Sequence, residues 1–266
     1  MMFSVTRLTA LFITLLLILP LSGKLFAQEK IIINIAKPSQ AYPPYHWTEQ
    51  GQVIGLVPEI IEAAVKELPH IEVNYVQIPW QRMFEQARKG EIDAIMPISH
   101  NFERQQYLDF VSEPLIMERI NFVTNTKYNL QFDGDLSKLV NYDIAGIAGY
   151  YYGEAVEKHE FNVVELPNEE TQIKMLIAGR FPLALLDANV LPFYLKKLGQ
   201  GEYTLKVLSP HLSEAGLHLA FSKTDINTNK NKQLNYKKLA KQFSHALEKL
   251  KSSGTYQAIL QKYQLQ

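Results

Sequence analysis

Apolar runs rich in β-branched residues alternate along this chain with segments of helical periodicity, and no other feature constrains the fold as strongly. The first predicted strands lie at Ile31–Ala36, Ile71–Ile78 and Ile92–Ile98. A helix that starts near Pro58 and a helix over Trp80–Lys89 separate these strands. A β-α-β-α-β order predicts a parallel sheet with right-handed crossovers.

The alternation restarts after a predicted crossing strand at Ile120–Thr124. The second unit has predicted strands at Tyr142–Ala148, Val163–Leu166, Leu183–Asp187 and Tyr203–Leu208. Its predicted helices lie near Tyr152–Lys158, over Glu169–Ala178 and near Ala188–Leu198. A return crossing at Leu217–Phe221 leads to a polar loop, Asp225–Lys232, and then to two amphipathic helices that close the chain.

Two similar α/β units joined by two crossings predict two lobes with a cleft between them. We expect each lobe to be a mostly parallel sheet flanked by helices. The predicted boundaries place residues 28–123 and 221–266 in lobe 1 and residues 124–220 in lobe 2.

Charged residues follow two of the predicted strands at the points where the strands end. The run Ile92–Ile98 stops at Ser99-His100-Asn101, with Arg104 close behind, and the run Leu183–Leu186 stops at Asp187. The carboxyl edge of such a sheet is where α/β proteins hold ligands, and the fork of Arg suits a carboxylate. The sequence therefore indicates a site for a small charged ligand. The alternatives are a surface pair of Arg104 with Glu103 and a helix N-cap at Asp187.

The segments GEIDAIMPISHNFERQQYLDF and GRFPLALLD together closely resemble the periplasmic solute-binding proteins of family 3. In that family the first segment reads roughly G-x-I-D-A, then R, then D-F, and the second reads G-R-x-D-A and then D. The resemblance covers nearly all of the chain after residue 27. It implies the type II periplasmic binding protein fold. It also implies a monomeric receptor, and not an enzyme, that closes on an amino-acid-like or carboxylate-bearing solute and delivers it to an inner-membrane ABC permease.

The resemblance also implies roles for individual residues. Arg104 matches the family's carboxylate-binding arginine, and Asp187 matches its ammonium-binding aspartate on the opposite wall. Tyr42 matches an aromatic residue that packs on the ligand, and Trp80 matches an apolar residue of the cleft. Ser99 in the polar loop and the aromatic residues Tyr150 and Tyr151 complete the expected set. The residues expected to bind ligand are Arg104, Asp187, Ser99, Tyr42, Trp80, Tyr150 and Tyr151.

Some positions depart from the family pattern. Tyr150 and Tyr151 stand where polar amino-acid receptors often have two threonines, so bulkier phenols replace a usual carboxylate-binding hydroxyl. Asn101 stands where Thr is common, and Pro97 stands where Ser is common. These changes keep the charged anchors and reshape the pocket, so an ordinary polar amino acid is not assumed as the ligand.

The first 27 residues have the features of a cleavable secretory signal. Arg7 supplies a positive start, Leu8–Leu21 is apolar, and Ala27 is a small residue at the expected cleavage point. The alternative is a membrane anchor, but the apolar run is shorter than the roughly 20 residues a spanning helix needs, and Pro20 interrupts it. The chain contains no cysteine, which excludes lipid attachment at a leader cysteine. We expect a periplasmic protein that is not inserted in the membrane.

Composition and motifs argue against several other functions. The 27 basic and 27 acidic residues balance, and no basic stripe with interleaved aromatics indicates nucleic acid. The seven histidines are scattered, and no cofactor or phosphate-loop fingerprint is complete, so we expect no metal and no cofactor. Two alternatives remain on the same fold. One is a periplasmic cyclohexadienyl dehydratase that acts on prephenate or arogenate, and the other is a ligand-sensing module.

Overall fold

The computed structural model describes residues 30–224 and 235–265. The predicted signal segment and the predicted loop Asp225–Lys232 lie outside these residues. Within the described ranges, none of the helices has the length and apolarity that crossing a bilayer requires.

The first lobe is built on three parallel strands with two helices between them. Its elements are β1 (Ile31–Pro38), β2 (Trp47–Glu49), β3 (Gln52–Ile54), α1 (Leu56–Val65), β4 (Ile71–Ile78), α2 (Trp80–Lys89) and β5 (Ala94–Ser99). Strand β1 lies in the middle and pairs in parallel with β4 and with β5. Helix α2 ends at Gly90, whose φ of 69° is the left-handed conformation that glycine adopts without strain.

The chain then leaves the first lobe. It forms α3 (Phe102–Gln105), β6 (Leu108–Phe110) and the crossing strand β7 (Ile116–Asn125). The second lobe follows with β8 (Asp143–Ile147), α4 (Glu154–Glu157), β9 (Asn162–Leu166), α5 (Glu169–Ile177), β10 (Leu183–Asp187), α6 (Leu191–Lys197) and β11 (Leu205–Val207). The return crossing is β12 (Ser213–Ser222), and α7 (Tyr236–Ser252) and α8 (Thr255–Lys262) complete the described chain.

One sheet runs through both lobes in the order β4-β1-β5-β12-β7-β10-β8-β9, with β6 on β12 and β11 on β7. The two crossing strands are antiparallel to each other, and Ser213 on β12 pairs with Ile120 on β7. The far half of β7 pairs with β10, and the far half of β12 pairs with β5. Each crossing strand therefore belongs to both lobes, and the hinge is part of the sheet.

The predicted two-lobed α/β architecture is confirmed, and so are the long alternating elements. Both crossing strands extend beyond the predicted spans of Ile120–Thr124 and Leu217–Phe221. The hairpin of β2 and β3, helix α3 and strand β6 were not predicted, because three or four residues are too few to show a hydrophobic period. The residue boundaries of the lobes stay a prediction.

Gly55 fixes the loop that leads into α1. Its φ of 126° disfavours any side chain, and a Cβ there would lie 2.6 Å from the carbonyl oxygen of Tyr45. The Tyr45 backbone is thus clamped against the start of the helix, and its side chain is completely buried. This close contact fixes the position of the loop that contains Tyr45, which lies at the cleft.

Asp93, the aspartate of the G-x-I-D-A segment, connects three parts of the first lobe. It is 4% exposed, and its Oδ2 accepts hydrogen bonds from the Asn34 backbone N–H at 2.7 Å and from Asn34 Nδ2 at 3.2 Å. Its Oδ1 accepts the hydroxyl of Tyr236 on α7. The motif aspartate therefore ties the start of β5 to β1 and to the returning C-terminal helix.

We expect Asp93→Ala to destabilise the fold, because the Asn34 backbone N–H loses this acceptor. Leaving a buried donor unpaired costs about 1–3 kcal/mol, and each kcal/mol lowers the melting temperature by about 2–4 °C at this size. Thermal unfolding followed by circular dichroism measures the change. Glu91→Ala, at an exposed position two residues earlier, is the matched control. Equal melting temperatures for the two variants would contradict the structural role of Asp93.

Candidate functional site

A cavity lies between the two lobes. Six of the seven residues predicted to bind ligand line it, namely Tyr42, Trp80, Ser99, Arg104, Tyr150 and Tyr151. Asp187 is the exception. Side chains from both lobes form the walls, so a molecule in the cavity would contact both lobes when the cleft is closed.

Arg104 is held in the cavity wall by its own short helix. The side chain of Asn101 caps α3 and accepts a hydrogen bond from the Arg104 backbone N–H at 2.8 Å. The Arg104 Nη1 donates to the Ser99 carbonyl oxygen at 2.8 Å and to Ser99 Oγ at 2.9 Å. The guanidinium lies 4.9 Å from the centre of the Phe84 ring. These contacts fix the position of the positive charge.

Glu103 and Glu118 interact electrostatically with the buried Arg104 guanidinium, but neither carboxylate lies within ion-pair distance of it. Arg104 is 5% exposed, and among residues 30–224 and 235–265 no carboxylate forms an ion pair with its guanidinium. Glu103 pairs with Arg88 instead, so the surface pair of Arg104 and Glu103 that the sequence left open is absent. Burial lowers the pKa of Arg104, yet arginine keeps its proton in proteins. The remaining donors face a cavity that can hold an anion.

Asp187 ends β10 but does not line the cavity. Its Oδ1 accepts the backbone N–H of Asn189 at 2.9 Å, so it does cap the helical turn that follows. Its Oδ2 accepts the hydroxyl of Tyr45, which comes from the other lobe. Asp187 is 1% exposed, and burial raises its pKa to about 6. Its predicted contact with the ligand stays a prediction.

Glu118, which sequence reasoning missed, does line the cavity. It lies on the crossing strand β7, is 8% exposed, and accepts the Tyr42 hydroxyl on Oε1 at 2.7 Å. Burial and the nearby charge of Asp187 raise its pKa to about 8. A signal was present in the sequence, since strand alternation puts Glu118 on the same face as Ile116 and Ile120.

A second cavity adjoins the first. The two share Pro38, Tyr42, Trp80 and Tyr150 in their walls. Glu169 lines the second cavity, and its Oε1 accepts the Tyr150 hydroxyl at 2.6 Å. Burial raises the pKa of Glu169 to about 7. Gln40 lines it as well, and its buried Oε1 has no hydrogen-bond donor within the described part of the chain.

Several contacts join the lobes beside the cavities. The hydroxyl of Tyr194 on α6 donates to the Ala41 carbonyl oxygen at 3.0 Å. Across the cleft, Trp80 Nε1 donates to the Gly149 carbonyl oxygen at 3.3 Å. The rings of Trp47 and Phe193 lie 6.0 Å apart, centre to centre. With the contact of Tyr45 and Asp187, these interactions define a closed cleft.

Comparison with known proteins identifies the class. A family profile of bacterial extracellular solute-binding proteins, family 3, matches residues 35–266, and the chain belongs to that family. The family resemblance read from the sequence is therefore confirmed.

Three known proteins are similar to this chain. An arginine-binding periplasmic protein of Mannheimia haemolytica is 25% identical over 239 residues, which cover 89% of this chain and 92% of that protein. A histidine kinase sensor domain with similarity to periplasmic binding proteins has a TM-score of 0.73 at 19% identity, covering 89% of this chain and 97% of that one. The substrate binding protein of an amino acid ABC transporter has a TM-score of 0.67 at 21% identity, covering 88% and 99%. At these identities the two structures show the shared fold alone.

The buried carboxyls of the cleft should make the ligand-free protein less stable as the pH rises from about 6.5 to about 8. Glu118 and Glu169 have pKa values raised to about 8 and about 7 in the folded protein, against 4.5 ordinarily. In this range they hold protons in the folded state but not in the unfolded state, so rising pH favours unfolding by up to about 1.4 kcal/mol per pH unit for each carboxyl. Thermal unfolding at several pH values measures the slope.

Two other groups with shifted pKa values titrate mainly at or beyond the edges of this pH window. Burial lowers the pKa of His46 to about 3, so its imidazole is neutral in both states above about 6.5. Burial lowers the pKa of Lys37 to about 8, so its ammonium is charged in both states at lower pH. We expect Glu118→Gln to flatten the slope and Glu165→Gln, at an exposed position, to leave it unchanged. A melting temperature that rises with pH over this range would contradict the assignment.

Proposed function

We propose that this protein is the soluble receptor of an ABC importer and that it binds an amino acid in the cleft between its lobes. The observation that carries the proposal is the buried Arg104 guanidinium, which faces a cavity without an ion-pair partner in the described chain. A ligand carboxylate would supply the missing anion through two parallel hydrogen bonds. Several hydrogen bonds to charged groups, at about 1.5–3 kcal/mol each, reach the roughly 8 kcal/mol of micromolar affinity.

Closure follows from the distribution of the lining residues. Tyr42, Trp80 and Arg104 come from the first lobe, and Tyr150 and Tyr151 come from the second. A ligand that contacts both sets binds the closed state more tightly than the open state, and it shifts the hinge equilibrium towards closure. Trp80 and Tyr150, with ring centres 5.0 Å apart, would cover the ligand from two sides.

The charges of the two cavities favour a basic amino acid. The Arg104 guanidinium and the Glu118 carboxyl line the first cavity, and the Glu169 carboxyl lines the second. The unpaired Gln40 Oε1 adds an acceptor beside Glu169. A distal ammonium or guanidinium in the second cavity would satisfy both acceptors. The Mannheimia relative is described as binding arginine, which agrees with this choice.

The receptor would act in the periplasm as a monomer that serves an inner-membrane permease. Membership of this extracellular family supports that location. The expected secretory signal would provide export. Contact with the permease would come from the outer surfaces of the two lobes, whose relative position reports whether ligand is bound.

A sensory role is the second candidate, supported by the fold shared with a histidine kinase sensor domain. Ligand binding would be the same, and only the protein that reads the closed state would differ. The dehydratase that the sequence leaves open would need a carboxylic acid in an aromatic cavity that also binds a carboxylate. Incubation with prephenate or arogenate, followed by detection of the aromatic product, separates an enzyme from a receptor.

We expect Arg104→Ala to remain folded and to lose the rise in melting temperature that amino acids cause, because the carboxylate loses its partner. Arg104→Lys keeps the charge but not the planar fork, and it should weaken binding by about tenfold or more. A thermal-shift screen of the twenty amino acids, with calorimetry on those that bind, measures both effects, because stabilisation grows with ligand concentration relative to Kd.

Arg82→Ala is the matched control, since Arg82 lies exposed on α2 in the same lobe. It should bind ligand as the parent does. If Arg104→Ala also responds to ligand as the parent does, the carboxylate is bound elsewhere and the proposed site is wrong.

A further inference from the structure

We propose that the second cavity is an aromatic cage for an N-methylated ammonium group, so that the ligand is an amino acid whose side-chain amine carries methyl groups. This inference rests on the proposed function and names the class of distal cation that the cleft selects. The carboxylate of such a ligand would still bind Arg104, which lines the first cavity. What points to methyl groups is the composition and the geometry of the second cavity.

Three aromatic residues stand where the two cavities meet. Tyr42, Trp80 and Tyr150 line both cavities. The centres of the Trp80 and Tyr150 rings lie 5.0 Å apart with an angle of 57° between the ring planes, and those of Tyr42 and Tyr150 lie 6.4 Å apart at 78°. Rings that meet at such steep angles form the sides of a box, whereas two parallel rings would form a slot for a flat group. A box of aromatic rings suits a rounded cation such as a quaternary ammonium.

The polar atoms of these three aromatic residues are engaged by neighbouring groups. The Tyr42 hydroxyl donates to Glu118 Oε1 at 2.7 Å, and the Tyr150 hydroxyl donates to Glu169 Oε1 at 2.6 Å. Trp80 Nε1 donates to a backbone carbonyl oxygen of the second lobe at 3.3 Å. The three residues therefore contribute mainly ring carbon to the walls of the cavity.

The other walls of the second cavity are mostly apolar. Apart from the three aromatic residues, its lining has two polar side chains, Gln40 and Glu169, and the remaining lining residues are Pro38, Ala41, Ile147, Ala148 and Pro167. A primary ammonium brings three N–H donors into such a site, and each buried donor needs an acceptor. A methylated ammonium has fewer donors or none, and its methyl groups gain free energy when they are buried against carbon. The walls therefore favour the methylated group.

Glu169 supplies the negative charge that a methylated ammonium requires. The residue is 1% exposed and lines the cavity beside the rings. A carboxylate attracts a nearby cation through its charge, even where the cation has no N–H to donate. The carboxylate thus selects a cation over a neutral side chain of the same shape, and the rings select a methylated cation over a bare one.

The test uses calorimetry with the whole protein and a series of probes that differ only at the end of the side chain. The probes are L-lysine, its Nε-dimethyl and Nε-trimethyl derivatives, and a neutral isostere of the trimethyl derivative in which carbon replaces the charged nitrogen. We expect trimethyl-lysine to bind at least about tenfold more tightly than lysine and at least about tenfold more tightly than the neutral isostere, because a desolvated cation is attracted by the ring faces.

Three substitutions separate the rings from the carboxylate. Trp80→Leu keeps an apolar wall but removes a ring face, so it should lose most of the preference for trimethyl-lysine over lysine. Glu169→Gln should lose most of the preference for trimethyl-lysine over its neutral isostere. Tyr150→Phe keeps the ring and should keep the preference for the trimethyl group. Tyr203→Leu, which changes an aromatic residue that is 88% exposed, is the control and should match the parent.

The outcomes distinguish a failure of the cage from a failure of the proposed function. If lysine binds the parent as tightly as trimethyl-lysine or more tightly, the cage is refuted while the receptor function stands. The same holds if the neutral isostere binds as tightly as trimethyl-lysine, or if Trp80→Leu weakens lysine and trimethyl-lysine by the same factor while circular dichroism shows a folded protein. If neither these probes nor any of the twenty amino acids binds the parent, the proposed function and the cage both fail.

Discussion

The buried positive charge of Arg104 is the constraint on which the organisation of the cleft depends. Removing a charge from water is expensive unless hydrogen bonds and a counter-ion compensate. Ser99 supplies hydrogen bonds and Phe84 supplies a ring face, but no described carboxylate lies within ion-pair distance of the guanidinium. The short helix α3, capped by Asn101, places this side chain just after the end of β5. In a binding protein, an anionic group of the ligand can supply the missing counter-ion.

The continuity of the sheet decides where the opposite charge can lie. The crossing strands β7 and β12 belong to both lobes and therefore form the floor of the cleft. Side chains on the cleft side of these strands would face a bound ligand. Glu118 is such a residue. Its neighbours Ile116 and Ile120 on the same face are buried, so the carboxyl stands in an otherwise apolar row. Burial there raises the pKa of the Glu118 carboxyl, and a cation that entered the cleft would lower that pKa again.

The two-lobed architecture and the strand-end position of Arg104 could be predicted from the sequence, whereas the surroundings of Asp187 could not, for a physical reason. Long elements with a clear hydrophobic period and the strand-end position of Arg104 are local features, so they can be read from one chain. Whether Asp187 faces a cavity or a tyrosine depends on which side chain the other lobe presents. In the sequence Tyr45 is only one aromatic residue of a loop, and its burial depends on Gly55 and on its contact with Asp187. Contacts between lobes have no local signature.

The acidic groups of the closed cleft can be neutralised either by protons or by cationic groups of a ligand. The stability of the protein therefore depends on the kind of ligand that binds. Without ligand, Glu118, Glu169 and Asp187 are buried near one another, and burial favours their protonated forms. A ligand with cationic groups stabilises the ionised carboxylates in place of those protons. The Arg104 guanidinium, in contrast, requires an anionic group of the ligand. A molecule with a carboxylate and one or more cationic groups is therefore the kind of solute that satisfies the acidic groups and the guanidinium at once, whereas a purely anionic or purely cationic solute leaves one of them uncompensated.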